Sequence, residues 1–266
     1  MWVKGSENLK IGLFQMNIIW EDKEKNIDKA EKAIATASEN NVDILFMPEM
    51  SFTGFSMNIA KTAESNNYTI EKLKALCQKY GIAVGFGWVK SCGEKAKNCY
   101  SVIDKNGKII STYEKIHPFS YSGEDKYFEK GNALTKYNIN GVGFSTAICY
   151  DLRFPEIFQA ISKDNDITAI VVPANWPAKR SNHWKTLAMA RAIENQVYII
   201  GVNCVGFIGG TEYRGESCVI TPNGDVKEFL LNEQIYFTEL DYDVKKLQEN
   251  FPIKQDRRVQ LYKNLL

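Results

Sequence analysis

The segment "VGFSTAICYDLRFPEIFQAISKDNDITAIVVPAN", residues 142–175, predicts a strand, a helix and a second strand in succession. Residues 142–150 are mainly apolar and predict a strand that ends at the cysteine. Residues 154–164 predict a helix, because the proline near their start suits a first helical turn. Residues 167–175 form a short apolar run of the kind found in buried strands. The segment indicates an α/β protein.

The same alternation continues on both sides of this segment. Before it, the apolar periodicity predicts strands and helices in turn: a strand at 9–18, a helix at 21–40, a strand at 42–49, a helix at 69–81 and a strand at 82–90. After it, a helix is predicted at 183–196 and a strand at 197–203. Asn-Gly pairs at 106–107 and 223–224 predict two hairpins. We therefore predict a mixed α/β fold with helices over sheets.

Composition places the chain among ordinary globular proteins. Its 266 residues are 44% hydrophobic and 24% charged, and no linker or repeat divides them, so we expect one domain over 1–266. The net charge of +1 offers no basic excess for nucleic acid. The N-terminus lacks a signal-peptide pattern, and no stretch predicts a membrane span. Six cysteines without a C-x-x-C pair predict neither a disulfide framework nor a zinc site, and favour the cytoplasm.

Four chemically capable positions directly follow predicted strands. Glu49, Lys115, Cys149 and the pair Asn175-Trp176 each come at the end of an apolar run. Ligands of open α/β folds bind beyond the carboxyl ends of strands, so these side chains are candidates for one site.

Each candidate also has a structural explanation. Cys149 is either a buried structural thiol or a nucleophile, and a following helix with nearby cations would lower its pKa towards the thiolate. Glu49 is either a helix cap or surface group, or a carboxylate buried among apolar neighbours and suited to proton transfer. Lys115 is either solvated like most lysines or an ammonium that stabilises an oxyanion.

Other kinds of site find less support. His117 and His183 are the only histidines, and either could form a Cys–His dyad, although a histidine-based mechanism is disfavoured. No ligand spacing suggests a metal, and no glycine-rich loop suggests a phosphate cradle or a cofactor. The glycine clusters at 141–144 and 206–210 lack the strand-then-helix context of a dinucleotide site.

Three segments together resemble the nitrilase, or carbon–nitrogen hydrolase, superfamily: "FMPEMSFTGF" at 46–55, "YEKIHPF" at 113–119 and "ICYDLRFPE" at 148–156. The resemblance implies a catalytic Glu49, Lys115 and Cys149. It also implies a second glutamate, Glu124 in "SGEDKYFEKG", with Glu129 close by as an alternative. It further implies a four-layer α-β-β-α sandwich that pairs into a homodimer and uses no metal or cofactor.

The resemblance also implies the chemistry. Cys149 would attack a primary amide, Lys115 with the backbone N–H after the cysteine would hold the oxyanion, and Glu49 would serve both half-reactions as acid and base. "VPANWPAKRSNHW" at 172–184 is most similar to the bacterial omega-amidase branch, whose substrates are 2-oxoglutaramate and 2-oxosuccinamate. The alternatives are a deaminated-glutathione amidase, another small-amide or N-carbamoyl hydrolase, and a non-enzymatic binding module. A redox-sensing thiol is weakened by the lack of an evident resolving cysteine.

A small substrate with a carboxylate needs a cation. Arg153 is the first candidate, although it would equally suit a pair with Asp151 or Glu156, and Arg180 is the weaker candidate. The other substrate contacts that we expect are a backbone donor at Tyr150 and aromatic walls from Trp176 and Phe119. Asp151 is expected to support the turn after the nucleophile, and Trp176 and Phe119 are alternatively part of the core.

Overall fold

Two six-stranded sheets form the centre of the protein in the computed structural model, which describes residues 9–241 and 243–265. The first sheet contains β1 (Leu9–Gln15), β2 (Ile44–Phe46), β3 (Ala83–Cys92), β4 (Lys95–Ile103), β5 (Ile109–Glu114) and β14 (Gln234–Leu240), in the order β14-β1-β2-β3-β4-β5. The second contains β6 (Lys136–Ile139), β7 (Val142–Thr146), β8 (Ile167–Ala174), β9 (Tyr198–Asn203), β12 (Cys218–Ile220) and β13 (Val226–Phe229), in the order β13-β12-β9-β8-β7-β6. A separate hairpin pairs β10 (Val205–Ile208) with β11 (Thr211–Arg214).

Helices cover the outer face of each sheet. The helices are α1 (Lys23–Glu39), α2 (Ile59–Thr62), α3 (Tyr68–Tyr80), α4 (Glu124–Tyr127), α5 (Pro155–Ser162), α6 (Ser181–Asn195), α7 (Val244–Asn250) and α8 (Val259–Leu265). Apolar residues of α1 and α3 pack on the first sheet, and those of α5 and α6 pack on the second. The predicted four-layer α-β-β-α sandwich is confirmed.

Strand β2 shows how the central sheets are buried on both faces. Phe46 points between the sheets, where its ring centroid lies 5.9 Å from that of Phe144. Its neighbour Leu45 points the other way and joins the apolar cluster under α1 and α3. Because successive side chains alternate between the faces of a strand, a strand buried on both faces is a continuous apolar run.

Local sequence signals explain the helix ends. The Asp22 carboxylate accepts a hydrogen bond from the Lys25 amide at 3.2 Å and caps α1, as such residues do at helix starts. The predicted apolar face of α1 is buried, and α3 ends at Gly81, whose φ of 66° is left-handed. No helix within residues 9–241 and 243–265 is long and apolar enough to cross a bilayer.

The structure departs from the sequence prediction beside the cysteine. Strand β7 ends at Thr146, before the predicted end at 150. Cys149 has a φ of 45° and begins a 3₁₀ turn, Cys149–Arg153, which leads into α5. The β10–β11 hairpin, β14 and the two C-terminal helices were not predicted. The glycines at 206–210 belong to this hairpin, where Gly206, Gly209 and Gly210 have positive φ.

Candidate active site

Candidate side chains from both sheets meet at the carboxyl ends of the strands. Lys115 directly follows β5 and Asn175 directly follows β8, whereas Glu49 and Cys149 come shortly after β2 and β7. Glu49 and Lys115 are almost completely buried, and Cys149 lines a cleft whose walls are partly aromatic. The sequence placed these four positions in one site, and the structure brings them together.

Lys115 is held between two buried carboxylates. Its Nζ lies 2.8 Å from Glu49 Oε1 and 2.9 Å from Glu124 Oε2. Glu124, at the start of α4, is fully buried, whereas the alternative Glu129 is exposed. The structure therefore places Glu124 in this cluster and Glu129 outside it.

The negative charges of two adjacent carboxylates keep Lys115 protonated. Burial alone lowers the pKa of Lys115, but the adjacent Glu124 and Glu49 carboxylates outweigh it and raise that pKa above the ordinary value. Burial raises the pKa of Glu124, with a smaller rise from the Glu49 charge, and Lys115 opposes both. The ammonium is thus available at all physiological pH values to stabilise negative charge.

Asn98 on β4 completes the cluster and was missed by sequence reasoning. Its Nδ2 donates to Glu49 Oε1 at 2.7 Å and to Glu124 Oε1 at 3.0 Å. One ammonium cannot neutralise two carboxylates, so a neutral double donor reduces their repulsion. No sequence signal distinguishes this asparagine, because its role depends on two residues that are distant along the chain.

Replacing this donor with an acceptor should damage the site. We expect Asn98→Asp to lower kcat/KM for the best amide substrate by about 100-fold or more, because a third carboxylate would face Glu49 and Glu124 without a donor. Steady-state kinetics with a thermal unfolding control would measure this. The matched control is Asn132→Asp in an exposed loop, and equal activity of the two variants would contradict the assigned role of Asn98.

Asp151 supports the turn that carries the nucleophile candidate. Its carboxylate accepts hydrogen bonds from the Ile148 amide at 2.9 Å, the His117 amide at 3.0 Å and the Tyr113 hydroxyl at 2.8 Å. These donors come from the ends of strands in both sheets, and their hydrogen bonds fix the backbone before and after Cys149. The left-handed conformation of Cys149 costs free energy and persists because its surroundings fix it.

The charge state of Cys149 corrects the sequence prediction. The following helix and nearby cations were expected to lower its pKa. Instead burial raises the pKa of Cys149 well above the ordinary value, the Glu49 charge raises it further, and Lys115 only partly compensates. The resting group is therefore a thiol, which must pass its proton to a base when it attacks.

This protonation state predicts that Cys149 gives almost no thiolate absorbance in the ultraviolet. Because the pKa of Cys149 is raised, the wild-type protein and Cys149→Ala should have almost the same thiolate absorbance between about pH 6 and pH 9. A difference titration of the two proteins measures it. A thiolate step below about pH 8 would show that the depressed pKa expected from the sequence was right.

The Asn175 segment fixes the orientation of Glu49. The Asn175 amide donates to Glu49 Oε2 at 2.9 Å, and its Nδ2 donates to the Glu49 carbonyl at 2.6 Å. The Cys204 thiol donates a hydrogen bond to Asn175 Oδ1 at 3.2 Å. On the other side, Gly87 must lack a side chain, since a Cβ there would lie 2.2 Å from the Met50 nitrogen. Glu49 is therefore held rigidly by both sheets.

A cavity of about 200 Å³ opens in front of Cys149. All four predicted substrate-contact residues line it: Phe119, Tyr150, Arg153 and Trp176. Arg180 lines it as well, and the lining residues not singled out from the sequence include Phe55, Tyr121, Thr211 and Tyr213. The last two come from the unpredicted β10–β11 hairpin.

Arg153 is not engaged by the carboxylates proposed as its structural partners. In the described part of the chain it forms no ion pair with Asp151 or Glu156, and its guanidinium stacks over the Trp176 ring at 4.7 Å. Burial and the nearby Arg180 charge lower the pKa of Arg153. The charge of a substrate anion would offset the repulsion between Arg153 and Arg180.

Neither histidine is bonded to the thiol. His117 Nδ1 lies 2.9 Å from Asp151 Oδ1 and its ring stacks on Phe154, and His183 lies 3.4 Å from the Arg153 guanidinium. Within residues 9–241 and 243–265, no group of three His, Cys, Asp or Glu side chains is arranged to hold a metal ion.

Comparison with known proteins identifies the family of this chain. The family model for carbon–nitrogen hydrolases matches residues 10–242. The 2-oxoglutaramate amidase of Bacillus subtilis is 33% identical over 95% of this chain and 98% of its own length. The omega-amidase YafV of Escherichia coli is 31% identical over 93% and 96%, and the deaminated glutathione amidase of Dictyostelium discoideum is 29% identical over 96% and 95%.

Solved structures share the fold. An amidase from Nesterenkonia sp. superimposes with a TM-score of 0.88 at 26% identity, over 99% of this chain and 98% of that one. A variant of that amidase carries acrylamide, joined by Michael addition to its active-site cysteine. It superimposes with a TM-score of 0.87 at 25% identity, over 97% of this chain and all of that one.

Proposed function

Because the chain belongs to the carbon–nitrogen hydrolase family, we propose that it hydrolyses the terminal amide of small 2-oxo dicarboxylic monoamides, such as 2-oxoglutaramate and 2-oxosuccinamate. The products are the dicarboxylic acid and ammonia. The observation that carries the proposal is the setting of Cys149. Its thiol lines a pocket that also contains Arg153, and its charged neighbours are Glu49, Lys115 and Glu124.

In the first half-reaction, Cys149 Sγ forms a bond to the amide carbonyl carbon as its proton passes to the Glu49 carboxylate. The carbonyl π electrons move to oxygen, and the Lys115 ammonium with the Tyr150 backbone N–H stabilises that oxyanion. When the oxyanion collapses, the carbon–nitrogen bond breaks and the nitrogen takes the proton from Glu49. Ammonia leaves and a thioester remains.

In the second half-reaction, Glu49 removes a proton from water while the water oxygen attacks the thioester carbon. The same oxyanion contacts stabilise the second tetrahedral intermediate. Its collapse breaks the carbon–sulfur bond, and the sulfur regains the proton from Glu49. Throughout the reaction, Glu124 stays paired with Lys115, and Asn98 stays hydrogen-bonded to Glu49. The Glu49 carboxylate serves as acid and base in both half-reactions, so no histidine is needed.

The choice of substrate rests on the pocket and the relatives. The Arg153 guanidinium lines the pocket, forms no ion pair with Asp151 or Glu156, and suits the carboxylate at the far end of a short acid amide. The 2-oxoglutaramate amidase and omega-amidase relatives are named for reactions of this type. The deaminated glutathione amidase relative supports the alternative of a longer peptide-like amide.

A substrate panel tests the proposed function. We would measure kcat/KM for 2-oxoglutaramate, deaminated glutathione, an N-carbamoyl amine and a simple nitrile. We expect 2-oxoglutaramate to be hydrolysed best and the nitrile to be inert. A higher kcat/KM for deaminated glutathione would transfer the assignment to that alternative, and preference for the N-carbamoyl amine or the nitrile would reject both.

We further propose that the protein works as a cytoplasmic homodimer. All six cysteines are unpaired, as is usual in a reducing compartment. The C-terminal helix α8 exposes four large apolar side chains, Val259, Leu261, Tyr262 and Leu265, and such patches mark contact surfaces. Light scattering during size-exclusion chromatography should give twice the chain mass and a lower mass for Leu261→Asp. A monomeric wild-type protein would reject the dimer.

A further inference from the structure

The pocket in front of Cys149 is strongly cationic. Its lining contains Arg153, Lys179 and Arg180, and none of the residues that line it within the described part of the chain is a carboxylate. Lys115 adds a fourth positive charge near the thiol, but Glu49 and Glu124 neutralise it. The side of the pocket away from the nucleophile therefore carries uncompensated positive charge.

An aromatic ring lies close to each of the two guanidinium groups. Arg153 lies over Trp176 at 4.7 Å from the ring centroid, and Arg180 lies over Phe119 at 5.1 Å. A guanidinium group near an aromatic face is attracted by the ring, and its five N–H donors lie in its own plane. The Arg180 donors are available to a ligand, and Arg153 directs two of its N–H groups towards His183 Nδ1 at 3.4 Å, which leaves its other donors for a ligand.

Arg180 has an anchored backbone, and its side chain lines the pocket. Its carbonyl accepts a hydrogen bond from Trp176 Nε1 at 2.8 Å, which anchors the residue to the pocket wall. Over residues 9–241 and 243–265, its guanidinium forms neither a hydrogen bond nor an ion pair with another side chain. Two cations that repel each other in one pocket, one of them bonded only to a histidine ring and neither of them paired with a carboxylate of the described residues, indicate an anionic ligand with acceptors for both.

We propose that Arg180 is a second anion-binding side chain, which acts together with Arg153 on one substrate and selects against an ammonium group at carbon 2. This inference rests on the proposed function. A 2-oxo acid offers its carboxylate and the adjacent ketone oxygen as acceptors for the two guanidinium groups. L-Glutamine has an ammonium group in place of that ketone, and no carboxylate in the pocket lining would pair with it.

Four amides separate the contributions of charge: 2-oxoglutaramate, glutaramate without a group at carbon 2, L-glutamine, and the neutral butyramide. In Arg180→Met we expect kcat/KM for 2-oxoglutaramate to fall about 10- to 100-fold. The value for butyramide should change less than about threefold, and the preference for 2-oxoglutaramate over L-glutamine should shrink about tenfold. Arg180→Lys, which keeps the charge, should retain most of that preference.

Arg214→Met is the matched control, because this exposed arginine on β11 does not line the pocket. Equal losses in Arg180→Met and Arg214→Met would show a diffuse effect of net charge and overturn the proposal. Equal losses for 2-oxoglutaramate and butyramide in Arg180→Met would also overturn it, because they would indicate a structural effect.

A binding measurement keeps this inference separate from the proposed function. Protection of Cys149 from iodoacetamide by 2-oxoglutarate or L-glutamate reports ligand binding without turnover. We expect stronger protection by 2-oxoglutarate, and about a tenfold loss of its affinity in Arg180→Met. If the wild-type protein hydrolyses none of the amides yet shows this pattern, the proposed function fails and the anion site stands. Unchanged protection in Arg180→Met rejects the anion site whatever the protein hydrolyses.

Discussion

Cys149→Ala should lower kcat for the best amide substrate by about 10⁵-fold or more, with little change in thermal stability. The physical reason is that no other group in the cluster can form the covalent intermediate. Glu49 and Lys115 are engaged with each other at 2.8 Å, and neither histidine is bonded to the thiol. Ammonia release from 2-oxoglutaramate, followed over hours, measures the residual rate.

The control for this prediction is Cys92→Ala, since Cys92 is a half-buried thiol at the end of β3. That variant should keep wild-type activity. Mass spectrometry after rapid quenching should detect an acylated wild-type chain and no acylated Cys149→Ala chain. Turnover within tenfold of wild type in Cys149→Ala would eliminate the thioester mechanism and make Cys149 a structural thiol.

Lys115→Met should lower kcat by about 10³-fold and the free energy of unfolding by about 3 kcal/mol. The loss of activity follows from the missing oxyanion donor. The loss of stability follows because Glu49 and Glu124 would face each other in a buried site without a counter-charge. Steady-state kinetics and denaturant unfolding measure the two effects separately.

The stability loss in Lys115→Met should depend on pH. The pKa of Glu124 is already raised in the native protein, and removing the ammonium would raise it further. A carboxyl group with a higher pKa in the folded chain favours folding below its unfolded pKa, and that contribution disappears as pH rises through the folded value. The variant should therefore be less destabilised at about pH 5 than at about pH 8.

Lys108→Met on the β4–β5 hairpin provides the control, because Lys108 is exposed. It should change neither activity nor the pH dependence of stability. A stability loss in Lys115→Met that is the same at both pH values would mean that the carboxylate repulsion assigned to the cluster is absent.

Much of the site could be predicted because its residues follow recognisable strands. The apolar runs before Glu49 and Asn175 are short, continuous and buried, and the strand before Lys115 follows an Asn-Gly turn, so these strand ends are visible in the sequence. Parallel strands such as β7, β8 and β9 direct their carboxyl ends to one edge, which brings Cys149 and Asn175 together. The order of these elements is a local property of the chain.

Other parts of the site depend on distances that the sequence does not contain. Asn98 looks like any strand asparagine until Glu49 and Glu124 fold against it. The hairpin that supplies Thr211 and Tyr213 to the pocket belongs to neither main sheet, and its glycine-rich turn lacks a strong pattern. Only the packed structure shows that Glu124, and not Glu129, reaches Lys115.

The sequence by itself determined the alternation of strands and helices and the two Asn-Gly hairpins, because periodicity and turn preferences act over neighbouring residues. Its resemblance to the carbon–nitrogen hydrolases singled out Glu49, Lys115 and Cys149 from among the candidates at strand ends. The tertiary structure alone decided the ionisation of the thiol and the charge of the pocket. Sequence reasoning predicted a lowered pKa for Cys149, whereas burial and the Glu49 carboxylate raise it. The reason is physical: desolvation and Coulomb interactions depend on depth and on distance through space, and folding sets both.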